Sequence, residues 1–138
     1  MARSPRETVR EFLGVVRSGR DPQRASEYFA STVTAHQVGA AAGDPVLRTP
    51  ANYAEHVEEM IEMFGNFDFT VDELLADGDR VYARWEQRGH HVGDIDGFAP
   101  TGAPILTVDS AVYRVESGMI VEYWIQADAA GLAVQLRR

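Results

Sequence analysis

The sequence contains no cysteine and no lysine. Without cysteine there is no thiol nucleophile, no disulfide framework and no cysteine-ligated zinc or iron–sulfur site. Without lysine there is no Schiff-base amine, no P-loop ammonium and no anchor for pyridoxal phosphate. No run of about 18 apolar residues, the length a membrane-spanning helix needs, occurs in the chain. The start, Met1-Ala2-Arg3-Ser4-Pro5, leads straight into a charged amphipathic stretch with no apolar signal core. These absences predict a cytoplasmic protein with no membrane partner. The G-x-S-x-G elbow, the G-x-G-x-x-G turn and the P-loop are missing too, which argues against acyl hydrolases of that type and against dinucleotide or ATP binding. All 13 basic residues are arginine and face 21 acidic ones, for a net charge of −8. Phosphate neutralisation is a poor basis for binding here, so no nucleic-acid partner is expected.

What is present fits one domain over residues 1–138, since 138 residues with 45% apolar content suffice for a sizeable core. Ser4, Pro5 and Glu7 read as a capping box for a first helix with Val9, Phe12, Leu13 and Val16 on one face, closed by Gly19. Asp21-Pro22 predicts a short second helix burying Ala25, Tyr28 and Phe29, followed by a strand through Thr32, Val33 and Thr34 to His36. Residues 39–48 read as a flexible connection. Thr49-Pro50 then caps a third helix with Tyr53, Val57, Met60, Ile61 and Phe64 along its apolar stripe. From residue 66 the apolar period changes to two, and turn signals at Asp77-Gly78-Asp79, Gly93 to Gly102 and Ser117-Gly118 separate strands near 66–76, 79–92, 104–116 and 119–127. Residues 129–136 read as a short helix or a last edge strand. The fold class is therefore α+β: a curved antiparallel sheet with the N-terminal helices on its concave face.

Several segments carry a resemblance. They are Gly78-Asp79-Arg80-Val81-Tyr82-Ala83-Arg84-Trp85, then Gly89-His90-His91-Val92-Gly93, then Pro100-Thr101-Gly102, and finally Tyr113 to Trp124 with Asp128 four positions on. Together these resemble the SnoaL-like polyketide cyclase family, within the nuclear-transport-factor-2-like superfold. The resemblance implies a cone-shaped partial barrel around a deep apolar pocket, chemistry without metal or cofactor, and an acid/base aspartate matched here by Asp128. It also implies the homodimer common in that superfold. The superfold hosts cyclases, isomerases, epoxide hydrolases and binding domains, so it does not select a reaction.

The residues themselves leave choices open. Asp128 suits proton transfer at the end of an apolar strand face, and it equally suits an N-cap for residues 129–132. His36 is either a base or donor at a pocket mouth or a satisfied rim residue, and His91 faces either the pocket or the loop 93–103. On the last strand Ile120, Glu122, Trp124, Gln126 and Asp128 share one face by alternation, and the resemblance favours that face as inward. On strand 79–92 the more apolar set, Val81, Ala83 and Trp85, is assigned to the pocket side, with Gln87 an orienter. Tyr28, Tyr53, Met60, Phe64, Trp85, Trp124 and Gln126 are the candidate substrate contacts. No metal site is expected: adjacent strand residues His90 and His91 point to opposite faces.

The reading that follows is a cofactor-independent cyclase or isomerase acting on a hydrophobic, polyketide-like carbonyl compound. Asp128 is its proton-transfer group, assisted by His36 or His91. One alternative is a limonene-epoxide-hydrolase-like enzyme, which requires Arg84 and Glu86 to point inward. The other is a non-catalytic small-molecule-binding or dimerisation domain.

Overall fold

The computed structural model describes residues 3–138. Ser4 Oγ accepts the Glu7 N–H at 3.2 Å and opens α1, Pro5–Phe12. The helix then widens into one π turn, Leu13–Arg17, in which the Ser18 N–H donates to the Leu13 carbonyl at 2.9 Å. Where a second α-helix was expected there is only a 3-10 turn, Pro22–Glu27, and Phe29 already belongs to β1, Phe29–Gln37. Residues 39–48 include a short strand, β2, Val46–Arg48. Helix α2, Pro50–Phe64, is capped by Thr49 Oγ1 on the Asn52 N–H at 3.1 Å. The meander follows as β3, Asp68–Asp77; β4, Arg80–His90; β5, Pro104–Glu116; and β6, Met119–Ala127. The last segment is a helix, α3, Ala129–Leu136.

The six strands form one curved sheet in the order β2-β1-β6-β5-β4-β3. All neighbours are antiparallel except β1 and β6, which run parallel. An all-antiparallel sheet had been expected. The parallel pair arises because β1 and β6 lie at the two ends of the chain's path, with α2 and the whole meander between them, so no hairpin dictates their direction.

Alternation along β4 places Val81, Ala83, Trp85, Gln87 and Gly89 inward, all buried, as its apolar pattern predicts. Register carries this face across to Tyr113, Ala111, Asp109, Thr107 and Ile105 of β5. On β6 simple alternation fails. Val115 pairs with Ile120 but Arg114 pairs with Glu122, so Val121 is an extra residue and the face switches there. Ile120 and Tyr123 are consequently both buried. The inward set beyond the bulge is Tyr123, Ile125 and Ala127, opposite Tyr113, Ala111 and Asp109. Glu122, Trp124 and Gln126 lie on the outer face, contrary to the expectation that the Trp124 face looks inward.

The narrow end of the cone is filled with aromatic rings. Phe12 of α1 stacks on Phe29 at 5.0 Å and meets Tyr53 at 5.3 Å and Tyr113 at 5.8 Å. The end of α2 presses on the sheet so closely that a Cβ on Gly89 would stand 2.5 Å from the Phe64 carbonyl oxygen. Replacing Gly89 with alanine should therefore destabilise the fold by roughly 1–3 kcal/mol in urea unfolding, as overpacking does. Gly43→Ala, with open space around its Cβ, should stay within about 0.5 kcal/mol.

Candidate active site

The sheet's inner face loses its cover toward one end. Along β6 Tyr123 is buried, Ile125 half-buried and Ala127 exposed, and along β1 Ala35 is buried but Gln37 exposed. On β5 Tyr113 and Ala111 are buried, while Asp109 is half-buried. At this open end lies a cavity of about 190 Å³, lined by Arg17, Met60, Phe64, Gln87, Thr107, Asp109, Ala127 and, from the start of α3, Asp128, Ala129 and Leu132. A larger groove of about 350 Å³ runs outside the barrel past Arg88, His90 and Gln135. It contains no buried ionisable side chain, so the chemistry is sought in the smaller, inner cavity.

Arg17 is the centre of that cavity. The residue is only 3% exposed. Its Nη1 donates to Gln87 Oε1 at 2.8 Å and its Nη2 lies 3.7 Å from Asp109 Oδ2. The guanidinium also sits over the rings of Phe69 and Trp85, 5.4 and 5.6 Å from their centroids. A buried charge persists only when paired and hydrogen-bonded, and the planar guanidinium also gains from stacking on aromatic faces.

Asp109 is pulled in two directions. Removal from water pushes its carboxyl above the ordinary carboxylate range; Arg17 and the Asp128 backbone N–H oppose this, while the Asp128 charge adds to it. The outcome is a raised carboxyl that stays beside a cation. Tyr53 and Tyr113, both buried, have hydroxyls raised by the same loss of water. His56, on α2 beside Tyr53, is pushed down to about 4 by burial first and then by the positive charges of Arg48 and Arg17.

The candidates named from sequence fall into different places. Met60 and Phe64 line the cavity, and Trp85 lies beneath Arg17. Tyr53 and Tyr28 belong to the packed interior: Tyr53 joins Phe29 at 4.8 Å, and Tyr28 meets Phe12 at 6.5 Å with Arg3 over its ring. Asp128 is exposed at the rim and caps α3, its Oδ1 accepting the Gly131 N–H at 2.9 Å. His91 is buried, but its Nε2 is 3.1 Å from the Phe98 carbonyl, so the ring fastens the loop 93–103 and does not enter the cavity.

The remaining candidates face away from the cavity. His36 stacks on Trp124 on the outer face, with ring centroids 5.0 Å apart and planes 6° from parallel. Its Nε2 is 2.6 Å from Glu122 Oε2, and Arg114 Nε donates to Glu122 Oε1 at 3.0 Å. Gln126 is exposed on the same face. The expected inward roles of His36, Trp124 and Gln126 are thus corrected: the Val121 bulge turns Trp124 and Gln126 outward, and the alternation of β1, with Val33 and Ala35 inward, does the same for His36. Arg84 and Glu86 also point outward, Arg84 lying 3.7 Å from Glu73 and Glu86 accepting from Arg88 at 3.0 Å. The inward arginine and acid that an epoxide-hydrolase reading needs are not supplied by this pair.

Arg17, Asp109 and His56 were missed as site residues. Asp109 was readable: it is the only carboxylate in the β5 set Ile105, Thr107, Asp109, Ala111, Tyr113 and Val115. Arg17 carried no such signal, because it follows an apolar helix where a terminal arginine ordinarily reaches solvent. Among the described residues no group of three or more His, Asp or Glu is placed to hold a metal ion, and no helix is long and apolar enough to cross a membrane.

This architecture has known counterparts. Residues 7–136 match the SnoaL-like polyketide cyclase family. A candidate polyketide cyclase from Acidithiobacillus ferrooxidans is 28% identical, with 97% of this chain and 95% of that one covered at a TM-score of 0.83. IdmH, a candidate polyketide cyclase from Streptomyces antibioticus, is 25% identical over 99% of this chain and 100% of its own, at 0.81. An NTF2-like protein from Burkholderia thailandensis shares the fold at 0.74, with 21% identity and coverage of 99% and 98%. No curated protein matches the sequence. The cone-shaped α+β fold is NTF2-like, and the chain belongs to the SnoaL-like polyketide cyclase family.

The two shifted groups make opposite contributions to acid stability. His56 falls from 6.5 to about 4 on folding, so its contribution is present above pH 6.5 and is lost as pH drops toward 4. Asp109 is raised on folding, so its contribution is present at low pH and is lost as pH rises through its folded value. Urea unfolding across this range should show His56→Gln flattening the loss of stability between pH 6.5 and 4, and Asp109→Asn steepening it.

Proposed function

We propose that the protein is a cofactor-independent acid–base enzyme that cyclises or isomerises a hydrophobic carbonyl compound of polyketide type. The observation that carries this reading is the Asp109 carboxylate, raised by burial and set beside the Arg17 guanidinium in a cavity with apolar walls. Family membership supports the substrate class.

The chemistry follows from that pairing. A carboxylate base made stronger by loss of water is suited to remove a proton from carbon next to a carbonyl. The C–H electron pair then becomes an enolate, whose oxygen receives an N–H from Arg17; a fixed donor in a dry site favours developing charge there. Gln87 holds Arg17 in place. The enolate carbon attacks a second carbonyl of the same molecule, forming the ring bond, and protonated Asp109 returns its proton to the new alkoxide. Returning it to a different carbon gives an isomer instead. Neither outcome consumes an oxidant, a reductant or a second substrate.

In this reading Asp128, the proton-transfer group expected from sequence, serves the rim and Asp109 moves the proton. Met60, Phe64 and Leu132 hold the apolar part of the substrate. About 190 Å³ is below the 300 Å³ at which ligand pockets usually begin, so the cavity encloses the reacting end and the rest of the molecule extends past its mouth. The outer sheet face, where Leu47 is 71% and Leu75 61% exposed beside Trp124 and Tyr82, supports a homodimer formed through the sheet of a cytoplasmic protein.

The test requires no knowledge of the natural substrate. Incubated in D₂O with a panel of aryl 1,3-diketones, the protein should accelerate exchange of the acidic C–H, followed by proton NMR. Asp109→Asn should lower the enzyme-dependent rate by about 10²–10⁴-fold, the usual contribution of a positioned base, while Asp128→Asn leaves it within a few-fold. Equal rates for wild type and Asp109→Asn would remove Asp109 from the reaction.

A further inference from the structure

Arg48 closes β2 at the edge of the sheet, where its register with the buried Val33 turns it toward the inner side. Its Nη1 donates to Asn52 Oδ1 at 3.0 Å, but its Nε is buried without a hydrogen-bond partner. Among the described residues no carboxylate lies within ion-pair reach of it, unlike the buried Arg17, which has Asp109. An arginine with a buried, unsatisfied donor and no acid beside it is costly unless something else completes it.

Its surroundings are positive as well. Helix α2 begins at Pro50, two residues on, and brings the positive end of a 15-residue helix alongside. His56 lies six residues after Pro50 in α2 and feels the charges of both Arg48 and Arg17. Arg48 also stands beside the Tyr123 hydroxyl. The nearby acids of α2, Glu55 and Glu59, are exposed, and Asp109 is engaged with Arg17. In a chain of net charge −8, this corner is a local deficit of negative charge.

The corner also adjoins the cavity. His56 and Met60 are four residues apart on α2, so their side chains neighbour each other on one face, and Met60 lines the cavity. The charges of Arg17, Arg48 and Asp109 all act on the buried Tyr53 hydroxyl.

We infer that Arg48, with His56 and the start of α2, binds a carboxylate on the part of the substrate that extends beyond the reacting carbonyl. The inference rests on the reading of the cavity as a substrate site and adds the class of substrate: a hydrophobic carbonyl compound that is also an acid. The guanidinium fork matches a carboxylate through paired N–H donors and fills the vacancy at Nε. His56, neutral without ligand, gains a reason to protonate when an anion arrives.

The experiment is calorimetric titration with 2-naphthylacetic acid and with its methyl ester, which differ only in the charge. The acid should bind wild-type protein about tenfold or more tightly than the ester, the range expected for a hydrogen bond to a charged group. Arg48→Gln should abolish that preference while leaving ester affinity unchanged, and Arg48→Lys should retain part of it. Should Arg48→Gln fold poorly, the His56 ring of the wild-type protein, titrated by NMR, should shift to higher pKa with the acid and not with the ester. Equal affinity for acid and ester, a preference that survives Arg48→Gln, or an unmoved His56 would overturn the inference while leaving the cavity reading intact. If neither compound binds, the cavity is not a site for such molecules and both readings fall.

Discussion

The structure is organised around burying one guanidinium. Arg17 sits almost wholly inside the cone, and a cation there is tolerated only if its donors are used and its charge is balanced. Both conditions are met by inward residues of the central strands: Gln87 on β4 supplies the hydrogen bond and Asp109 on β5 the charge. Leu13, Val16 and Arg17 are all buried in the π turn that ends α1. The raised carboxyl of Asp109 is then a by-product of stability requirements, because a lone cation at this depth would force a partner carboxylate out of water.

Much of this was legible in the sequence and some was not, for identifiable reasons. Capping residues at Ser4 and Thr49 act through neighbouring backbone, so their effect is visible locally, and both helices begin where those residues put them. The inward set of β4 was equally plain, since eleven residues of regular strand keep their parity. On β6 parity could not be trusted. One extra residue at Val121 exchanges the two faces, and no residue there announces a bulge, because valine suits a regular strand equally well. That single irregularity moved Trp124 and Gln126 from the expected pocket to the outer surface, where they meet His36, turned outward by the alternation of β1 itself. The parallel pairing of β1 with β6 was similarly hidden, being a contact between segments far apart in the chain. The site was half visible: its apolar wall was found through the α2 stripe, and its polar centre was overlooked although Asp109 stood out within its strand.

The rim is built from side chains acting as backbone. Beyond the end of β6, the first part of β5 has a strand, β4, on one side only, and its amides on the other side need partners. Gln135 of α3 supplies them: its Oε1 accepts the Leu106 N–H and its Nε2 donates to the Leu106 carbonyl, each at 2.8 Å. One amide thus imitates a neighbouring strand and holds α3 across the opening, where Leu132 closes part of the cavity. The other end of α3 is fixed by Asp128 on Gly131, where a larger residue would collide with the capping carboxylate.

Asp109 and Asp128 border the same cavity, yet the structure gives them different properties. Asp128 spends one oxygen on a helix cap and remains in water. Asp109 is withdrawn from water, and the nearby negative charge of Asp128 adds to the cost of ionising it. Of the two acids, the buried one is therefore the one whose hold on its proton the structure strengthens, and the exposed one acts on it through its position and its charge.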